Sequence, residues 1–321
     1  MTAPTSVDDV IFDNNTGSVE TPIVVTVSAE VDCKSIFFGG PTVRLDFLGT
    51  YSISVAGDIT LFRLEIVNPA ATGAFVITGN CTLTSNGYDA SGVVVTGGIT
   101  TLADDLLCTT VLACASAGTL DTAGYAVTAD RFSSAGSGAS TYLKGSMVTI
   151  TGAGTAWDFS AGALSAGTST IKFTNVSAAG RTFAGGGKSY HDVWFSGGYA
   201  GILQIAGSNS FNDFRSDAGL HTIQFPVGGT QTVGSFTVGG SGPAARTTLR
   251  TELDGFGWNL VCAGGAIACE WLVLKDSHAS GGASFAASNS LDGGGNSGWT
   301  IVAPAVPLTS NRRVRLTYMR R

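Results

Sequence analysis

A repeat of about 21 residues is the sequence feature that most constrains the fold of this chain. Between Ser189 and Val238, short runs of β-branched and aromatic residues recur at a nearly fixed interval, with glycines between them. Tyr190, Phe211 and Val233 stand at equivalent positions of three successive repeats. A unit this short cannot bury its own apolar side chains, so it must stack on the next unit and share a core with it.

The same pattern, with a looser spacing, runs through most of the chain. Leu45 and Ile66 form one pair of equivalent positions, and Ile59 and Leu83 form another. We therefore predict an all-β fold, a single-stranded right-handed parallel β-helix (β-solenoid) with about 20–24 residues per rung. The predicted organisation is an N-terminal cap over residues 1–20, the solenoid over residues 21–302, and a basic docking tail over residues 303–321.

Composition excludes several other classes of protein. The chain has 45 glycines in 321 residues without a collagen period, and 44% hydrophobic residues are too many for a disordered chain. No apolar run approaches the roughly 18 residues of a membrane helix, so we expect no membrane insertion. Residues 1–9 lack the basic and apolar regions of a secretion signal. The protein is expected to stay inside the cell or to leave it without a cleaved signal.

The cysteines are predicted to be buried apolar residues. None of them forms a CxxC pair or a Cys/His group with zinc spacing, which argues against a zinc site. A disulfide between Cys262 and Cys269 is the alternative if the protein matures outside the cell. The six cysteines are Cys33, Cys81, Cys108, Cys114, Cys262 and Cys269.

Charge separates the tail from the rest of the chain. The net charge is −6 and the last ten residues hold five arginines, so residues 1–311 carry −11. An acidic body argues against nucleic-acid binding. In the tail, Val314, Leu316 and Tyr318 alternate with basic or polar residues, which predicts a strand that docks on a neighbouring subunit. A basic arm for nucleic acid and a frayed terminus are the alternatives. The docking arginines are Arg312, Arg313, Arg315, Arg320 and Arg321.

Asp192 and Asp213 are the best catalytic pair in the sequence, although a weak one. They occupy the same position of successive repeats, so adjacent rungs would hold them at about the 4.8 Å strand spacing. Strand alternation points Val193 and Phe214 inward and both aspartates toward solvent. Glycoside hydrolysis needs two carboxylates about 5–9.5 Å apart. We favour the interpretation that both are surface aspartates, and we predict no catalytic residue.

Four aromatic residues near the repeat are candidates for contact with a bacterial surface glycan, because sugar rings stack on such side chains. The alternative is that they fill the solenoid core. They are Trp157, Tyr190, Trp194 and Tyr199. No metal site or cofactor is predicted, since the spacing of Asn289, Asp292 and Asn296 matches no calcium loop.

Two terminal regions carry a resemblance to a known group of proteins. Asp276–Trp299 contains a Gly-Gly-Ala-Ser-Phe run and ends in Ser-Leu-Asp-Gly-Gly-Gly-Asn-Ser-Gly-Trp. This resembles a closing segment of β-helical structural proteins of tailed bacteriophages. Ser6–Asp13, followed by Val24–Val27 and Cys33–Phe38, looks like the start of the same proteins.

The resemblance implies a virion component made in the host cytoplasm. It implies a non-enzymatic tail fibre or spike that contributes to host attachment, or alternatively a capsid decoration protein, with other virion proteins as partners. Fibres of this kind are commonly trimers, so a homotrimer is expected. A polysaccharide lyase or glycosidase on a β-helix is the alternative from another class, because a fold does not determine a function.

Overall fold

The strands of this protein stack as a parallel β-solenoid, as the repeat predicts. The computed structural model describes residues 4–12, 23–39, 42–48, 50–66, 73–197, 201–219 and 221–305. Over these residues the chain is all-β, has no helix, and forms about 12 turns. Most strands pair with the strands one coil before and one coil after them, so Asp192 lies opposite Asp213, and Asp213 opposite Ser235. At the strand spacing, this number of turns makes a rod about 60 Å long.

Each coil runs along three faces. The first face contains Asp9–Phe12, Ser35–Phe38, Ile59–Thr60, Cys81–Thr84, Ile99–Leu102, Thr119–Asp121, Ser140–Tyr142 and Ala163–Ser165, and near the C-terminal end Trp258–Cys262 and Ser277–Gly281. The second face contains Ile23–Val27, Val43–Phe47, Leu64–Ile66, Met147–Ile150, Thr170–Phe173, Ala266–Glu270, Ser284–Ser288 and Thr300–Ile301.

The third face is the longest continuous column of strands. It contains Val31–Cys33, Ile53–Val55, Phe75–Ile77, Val93–Val95, Gly154–Asp158, Arg181–Ala184, Ile202–Ala206, Thr222–Phe225, Thr247–Thr251, Leu272–Leu274 and Leu291–Asp292. Five longer strands bend around a corner and belong to two faces. They are Leu106–Cys114, Val127–Ser133, Ser189–Phe195, Ser210–Ser216 and Thr230–Val238.

The bends explain why alternation is interrupted inside the longer strands. In Ser210–Ser216 the inward residues are Phe211 and Phe214, so Asn212 and Asp213 between them both point outward. Ser189–Phe195 bends in the same register, with Tyr190 and Val193 inward. Two outward residues in succession turn the chain from the first face to the second.

The core runs along the axis and changes character along the rod. Toward the N-terminus it consists mainly of Val, Ile and Leu side chains. In the middle it becomes a continuous cluster of rings in contact with one another. This ring cluster contains Phe132, Trp157, Phe159, Phe173, Phe183, Tyr190, Phe195, Phe211, Phe214 and Phe236. Many of the largest fully buried side chains of the chain belong to it.

The N-terminal boundary differs from the one expected from the sequence. Asp9–Phe12 falls in the predicted cap, but it is the first strand of the first face and pairs with Ser35–Phe38. The solenoid therefore begins before residue 21. The last described strand is Thr300–Ile301, and the predicted boundary between the solenoid and the tail at residue 303 stays a prediction.

All six cysteines are buried and free, so the alternative disulfide between Cys262 and Cys269 is not formed. Burial raises the pKa of Cys81 and Cys269 to about 12, which keeps both thiols protonated and unreactive. Over the described residues, no helix of a length and polarity suited to crossing a membrane is found.

Candidate functional site

The two candidate catalytic aspartates lie side by side on the outer surface of neighbouring coils. Asp192 pairs in register with Asp213, and the inward neighbours Val193 and Phe214 are almost fully buried, as predicted. Asp192 Oδ1 is 3.0 Å from His191 Nδ1 and accepts a hydrogen bond from Asn212 Nδ2 at 3.1 Å. Asp213 accepts a hydrogen bond from the Ser235 hydroxyl. Both carboxylates are thus engaged by side chains of their own or the adjacent coil.

Trp157 and Tyr190 are not surface residues, which corrects their assignment as glycan contacts. Trp157 is fully buried, and Tyr190 is 4% exposed. The indole Nε1 donates to the Tyr190 hydroxyl at 3.2 Å, and that hydroxyl donates to the Gly185 carbonyl at 2.9 Å. A side chain enclosed in this way cannot stack on a sugar. Tyr199 lies outside the described residues.

Trp194 faces outward, but two cationic side chains lie over its indole ring. Lys172 Nζ from the preceding coil lies 4.0 Å from the ring centroid, and the Arg215 guanidinium from the following coil lies 4.4 Å from it. Asp217 accepts the indole N–H at 2.8 Å and pairs with Arg215 at 3.3 Å. Cation–π contacts of this kind stabilise the ring where it is. Lys172 and Arg215 would have to leave the ring before a sugar could stack on it, and contact of Trp194 with a glycan stays a prediction.

Several other polar side chains connect one coil to the next. Asp89 accepts the Thr109 N–H at 3.1 Å and the Thr109 hydroxyl at 2.7 Å. Asn209 is 1% exposed, accepts the Gly187 N–H at 3.0 Å and donates to Gln231 at 3.3 Å. These contacts satisfy backbone groups at the corners, where the strand ladder is interrupted. Their role is to hold adjacent coils in register.

A groove at the corner between the second and third faces lies in the C-terminal half of the rod. Its volume is about 480 Å³. The lining residues come from successive coils and are Ala178, Gly180, Gly201, Ile202, His221, Thr222, Arg246 and Thr248. The sequence signal for this groove is the inserted loop Gly239–Ala245, which precedes Arg246. Sequence reasoning missed the groove, because nothing in the sequence places that loop beside His221.

His221 is a buried histidine in this groove. It is 4% exposed, and its Nε2 lies 2.9 Å from the Ser216 hydroxyl. Burial, aided by the positive charge of Arg181, lowers the pKa of His221 to about 4. The imidazole is therefore neutral at neutral pH.

The lowered pKa of His221 predicts a loss of stability in acid. The unfolded chain takes up a proton near pH 6.5 and the folded chain only near pH 4, so the free energy of unfolding falls as the pH falls through this window. The expected contribution of His221 is on the order of 3 kcal/mol. Urea unfolding between pH 4 and pH 7 measures it as the difference between wild type and His221→Gln.

The control for this experiment is His278→Gln, which changes an exposed histidine. His221→Gln should flatten the pH dependence of the wild type, and His278→Gln shows what the loss of an exposed imidazole does by itself. Parallel curves for wild type and His221→Gln would contradict the lowered pKa.

Comparison with known proteins gives no relative: no family model, no curated protein and no solved structure matches this chain. In the described part of the chain, no group of three or more histidine, cysteine, aspartate or glutamate side chains is placed to hold a metal ion. The five docking arginines of the tail lie outside the described residues, so their role stays a prediction.

Proposed function

We propose that this protein is a non-enzymatic structural protein, a rigid rod that works as part of a larger assembly. The observation that carries the proposal is the continuity of the coil-to-coil contacts. Each strand of the central coils is hydrogen-bonded to the coil before and the coil after it. Outward-facing side chains, including Asp192, Asp213 and Trp194, are held by contacts between coils. Such a body is rigid, so it can hold other components of an assembly at a fixed distance and carry load. It has little freedom for the closing motions of many enzymes.

The proposed setting is the particle of a tailed bacteriophage, most naturally a tail fibre or spike that contributes to host attachment. The support is the resemblance of the two terminal regions to β-helical structural proteins of tailed bacteriophages. The C-terminal region, which resembles a closing segment, also packs as one would. Trp299 lies 5.4 Å from Phe285 between ring centroids and donates its indole N–H to the Ser277 hydroxyl at 3.0 Å. The segment thus closes the end of the core. A capsid decoration protein is the alternative within the same class.

The first face supports the proposal that copies associate as a homotrimer. In register along this face lie Thr82, Thr101, Asp121 and Tyr142, with Ile99 beside them. Ile99 is 54% exposed and Tyr142 is 40% exposed. A flat surface with exposed apolar side chains and little charge favours association. The tail, residues 303–321, is proposed to dock on another copy or on another virion protein, with its arginines pairing carboxylates.

A glycosidase or polysaccharide lyase is the second candidate, favoured by one observation. The in-register pairing of Asp192 with Asp213 puts two carboxylates on adjacent coils, near the spacing used by retaining glycosidases. Neither aspartate lines the groove. Release of reducing ends from a host polysaccharide that disappears in Asp192→Asn or Asp213→Asn would replace the structural proposal by this one.

The proposal is tested by the mass of the assembly. Mass photometry of the full chain at micromolar concentration should report a trimer of the 32.5 kDa chain. Deletion of residues 304–321 should leave the far-ultraviolet spectrum of the β-sheet unchanged, because the last described strand ends at Ile301. The deletion should abolish assembly or incorporation into particles.

Substitution of Arg44 by alanine is the matched control for loss of an arginine, since Arg44 forms an exposed ion pair with Glu65. This variant should assemble normally. A stable monomer of the full chain would contradict the trimer, and normal assembly of the truncated chain would contradict the docking role of the tail.

A further inference from the structure

The groove exists because one coil is longer than its predecessor at this corner. Leu203 pairs with Ile223 one coil later, and Ile223 pairs with Leu249 after one further coil. The second of these coils is the longer one because it contains the inserted loop, which is closed by a hydrogen bond from Ser241 N to the Ala245 carbonyl at 2.9 Å. The preceding coils present small residues here, among them Ala178 and Gly180. The longer coil projects beyond the preceding coils, and this difference in height makes the groove.

Arg246 stands at the end of the inserted loop and is held in a fixed position. Its Nη1 donates to the Pro243 carbonyl, and its guanidinium carbon lies 5.3 Å from the centroid of the Trp271 ring. Its Nε is buried and has no hydrogen-bond partner among the described residues. That Nε is closed to a ligand, so the groups that Arg246 can present to an oxyanion are its charge and the far end of the guanidinium, which is fixed on one side by the Pro243 carbonyl.

Trp271, which supports Arg246, has an unusual backbone conformation. Its φ is +55°, in the left-handed region that a bulky side chain seldom adopts. Backbone conformations of this kind cost about 1–3 kcal/mol and persist where the surrounding structure imposes them, often beside binding sites. The indole lies against the Arg246 side chain.

The lining of the groove favours a negative charge and offers hydroxyl groups next to it. None of the described lining residues is acidic, and the charge of Arg181 acts on His221 in the same corner. Thr222 and Thr248 lie in register on adjacent coils, so their hydroxyl groups repeat at about 4.8 Å. Ile202 adds an apolar side chain that is 43% exposed.

We propose that this groove binds a carboxylate carried by a hydroxyl-rich ligand, the chemistry of an acidic sugar. The carboxylate binds Arg246, the hydroxyl groups of the ligand bond to Thr222 and Thr248, and its C–H face lies on Ile202. A volume of about 480 Å³ suits one or two sugar rings. The choice of a sugar rests on the attachment role in the proposed function. The site uses none of the aromatic residues that the sequence suggested.

Three probes separate the parts of this proposal: glucuronate, glucose and acetate. The chain has three histidines, and only His221 lines the groove, so His191 and His278 serve as internal controls in a histidine side-chain NMR spectrum. Glucuronate should shift the His221 signals and leave the other two unchanged. Glucose and acetate should each bind at least tenfold more weakly than glucuronate.

Substitution of the arginine completes the test. Arg246→Ala should reduce glucuronate affinity at least tenfold, and Arg246→Lys, which keeps the charge but not the planar fork, should bind with intermediate affinity. Arg250→Ala is the control, because Arg250 lies on the same face outside the groove and pairs with Asp254. This variant should bind as the wild type does.

Each contrary result removes a defined part of the proposal. Equal binding of glucose and glucuronate would overturn the carboxylate contact, and equal binding of acetate would overturn the hydroxyl contacts. Unchanged affinity in Arg246→Ala, or no shift of His221, would overturn the site. The mass measurement does not depend on ligand binding, so the structural proposal stands or fails separately.

Discussion

Replacing Trp157 with alanine should lower the free energy of unfolding by about 3–5 kcal/mol. Trp157 is fully buried in the middle of the ring cluster. Its ring lies 4.4 Å from Phe159 and 5.3 Å from Phe132, measured between centroids. Alanine would leave a cavity that stacked coils cannot close, because each strand is fixed by neighbours on both sides. Urea unfolding followed by far-ultraviolet circular dichroism measures the change.

Trp194→Ala is the matched control, since it removes the same side chain from the outer surface of the same rod. Its loss costs the two cation–π contacts and the hydrogen bond to Asp217, together no more than about 2 kcal/mol. Equal effects of the two substitutions would show that Trp157 does not support the core in the way described.

Replacing Gly98 with alanine should destabilise the protein by roughly 2–5 kcal/mol. Gly98 has a φ of +61°, and a Cβ atom there would lie 2.3 Å from the Gly79 carbonyl carbon of the preceding coil. The obstacle is backbone, so two coils would have to move apart. Urea unfolding again measures the effect.

Gly87→Ala separates the two causes of this destabilisation, which are the left-handed backbone conformation and the contact of a Cβ atom with the preceding coil. Gly87 has a φ of +78°, but a Cβ atom there meets nothing within 4 Å. Its substitution should cost only the conformational term, about 1–2 kcal/mol. The difference between the two variants therefore reports the close approach of the coils. A cost for Gly98→Ala no greater than that for Gly87→Ala would contradict the tight stacking.

The architecture could be predicted because its signal is repeated. Residues at the same position of successive coils share one environment, so the alternation around Val193 and Phe214 sufficed to place Asp192 beside Asp213. Where this regularity is broken, sequence reasoning fails. The register shifts between Thr155 and Trp157, so Ala156 and Trp157 are buried in succession. No period-two pattern predicts which way such a residue points.

The groove could not be predicted for a different reason. It depends on where an inserted loop lies relative to coils that are distant from it in the chain. His221 and Arg246 are ordinary polar residues in the sequence and become neighbours in one groove only through the stacking of corners. Arg181 is another residue whose place could not be predicted. It is only 2% exposed, although arginine is rarely found in a core. Its neighbours in the sequence give no sign of this burial.

The pairing of most strands with the next coil also determines how the chain can fold. Partners such as Phe214 and Phe236 are separated by a single coil, however long the whole rod becomes. The entropy of closing each loop therefore stays that of a short segment, and contact order remains low for a protein made of parallel strands. Folding can begin at any coil that collapses first and then extend in both directions, each finished coil serving as the template for its neighbour. The ring cluster, with its large side chains in successive coils, is the natural nucleus for that growth.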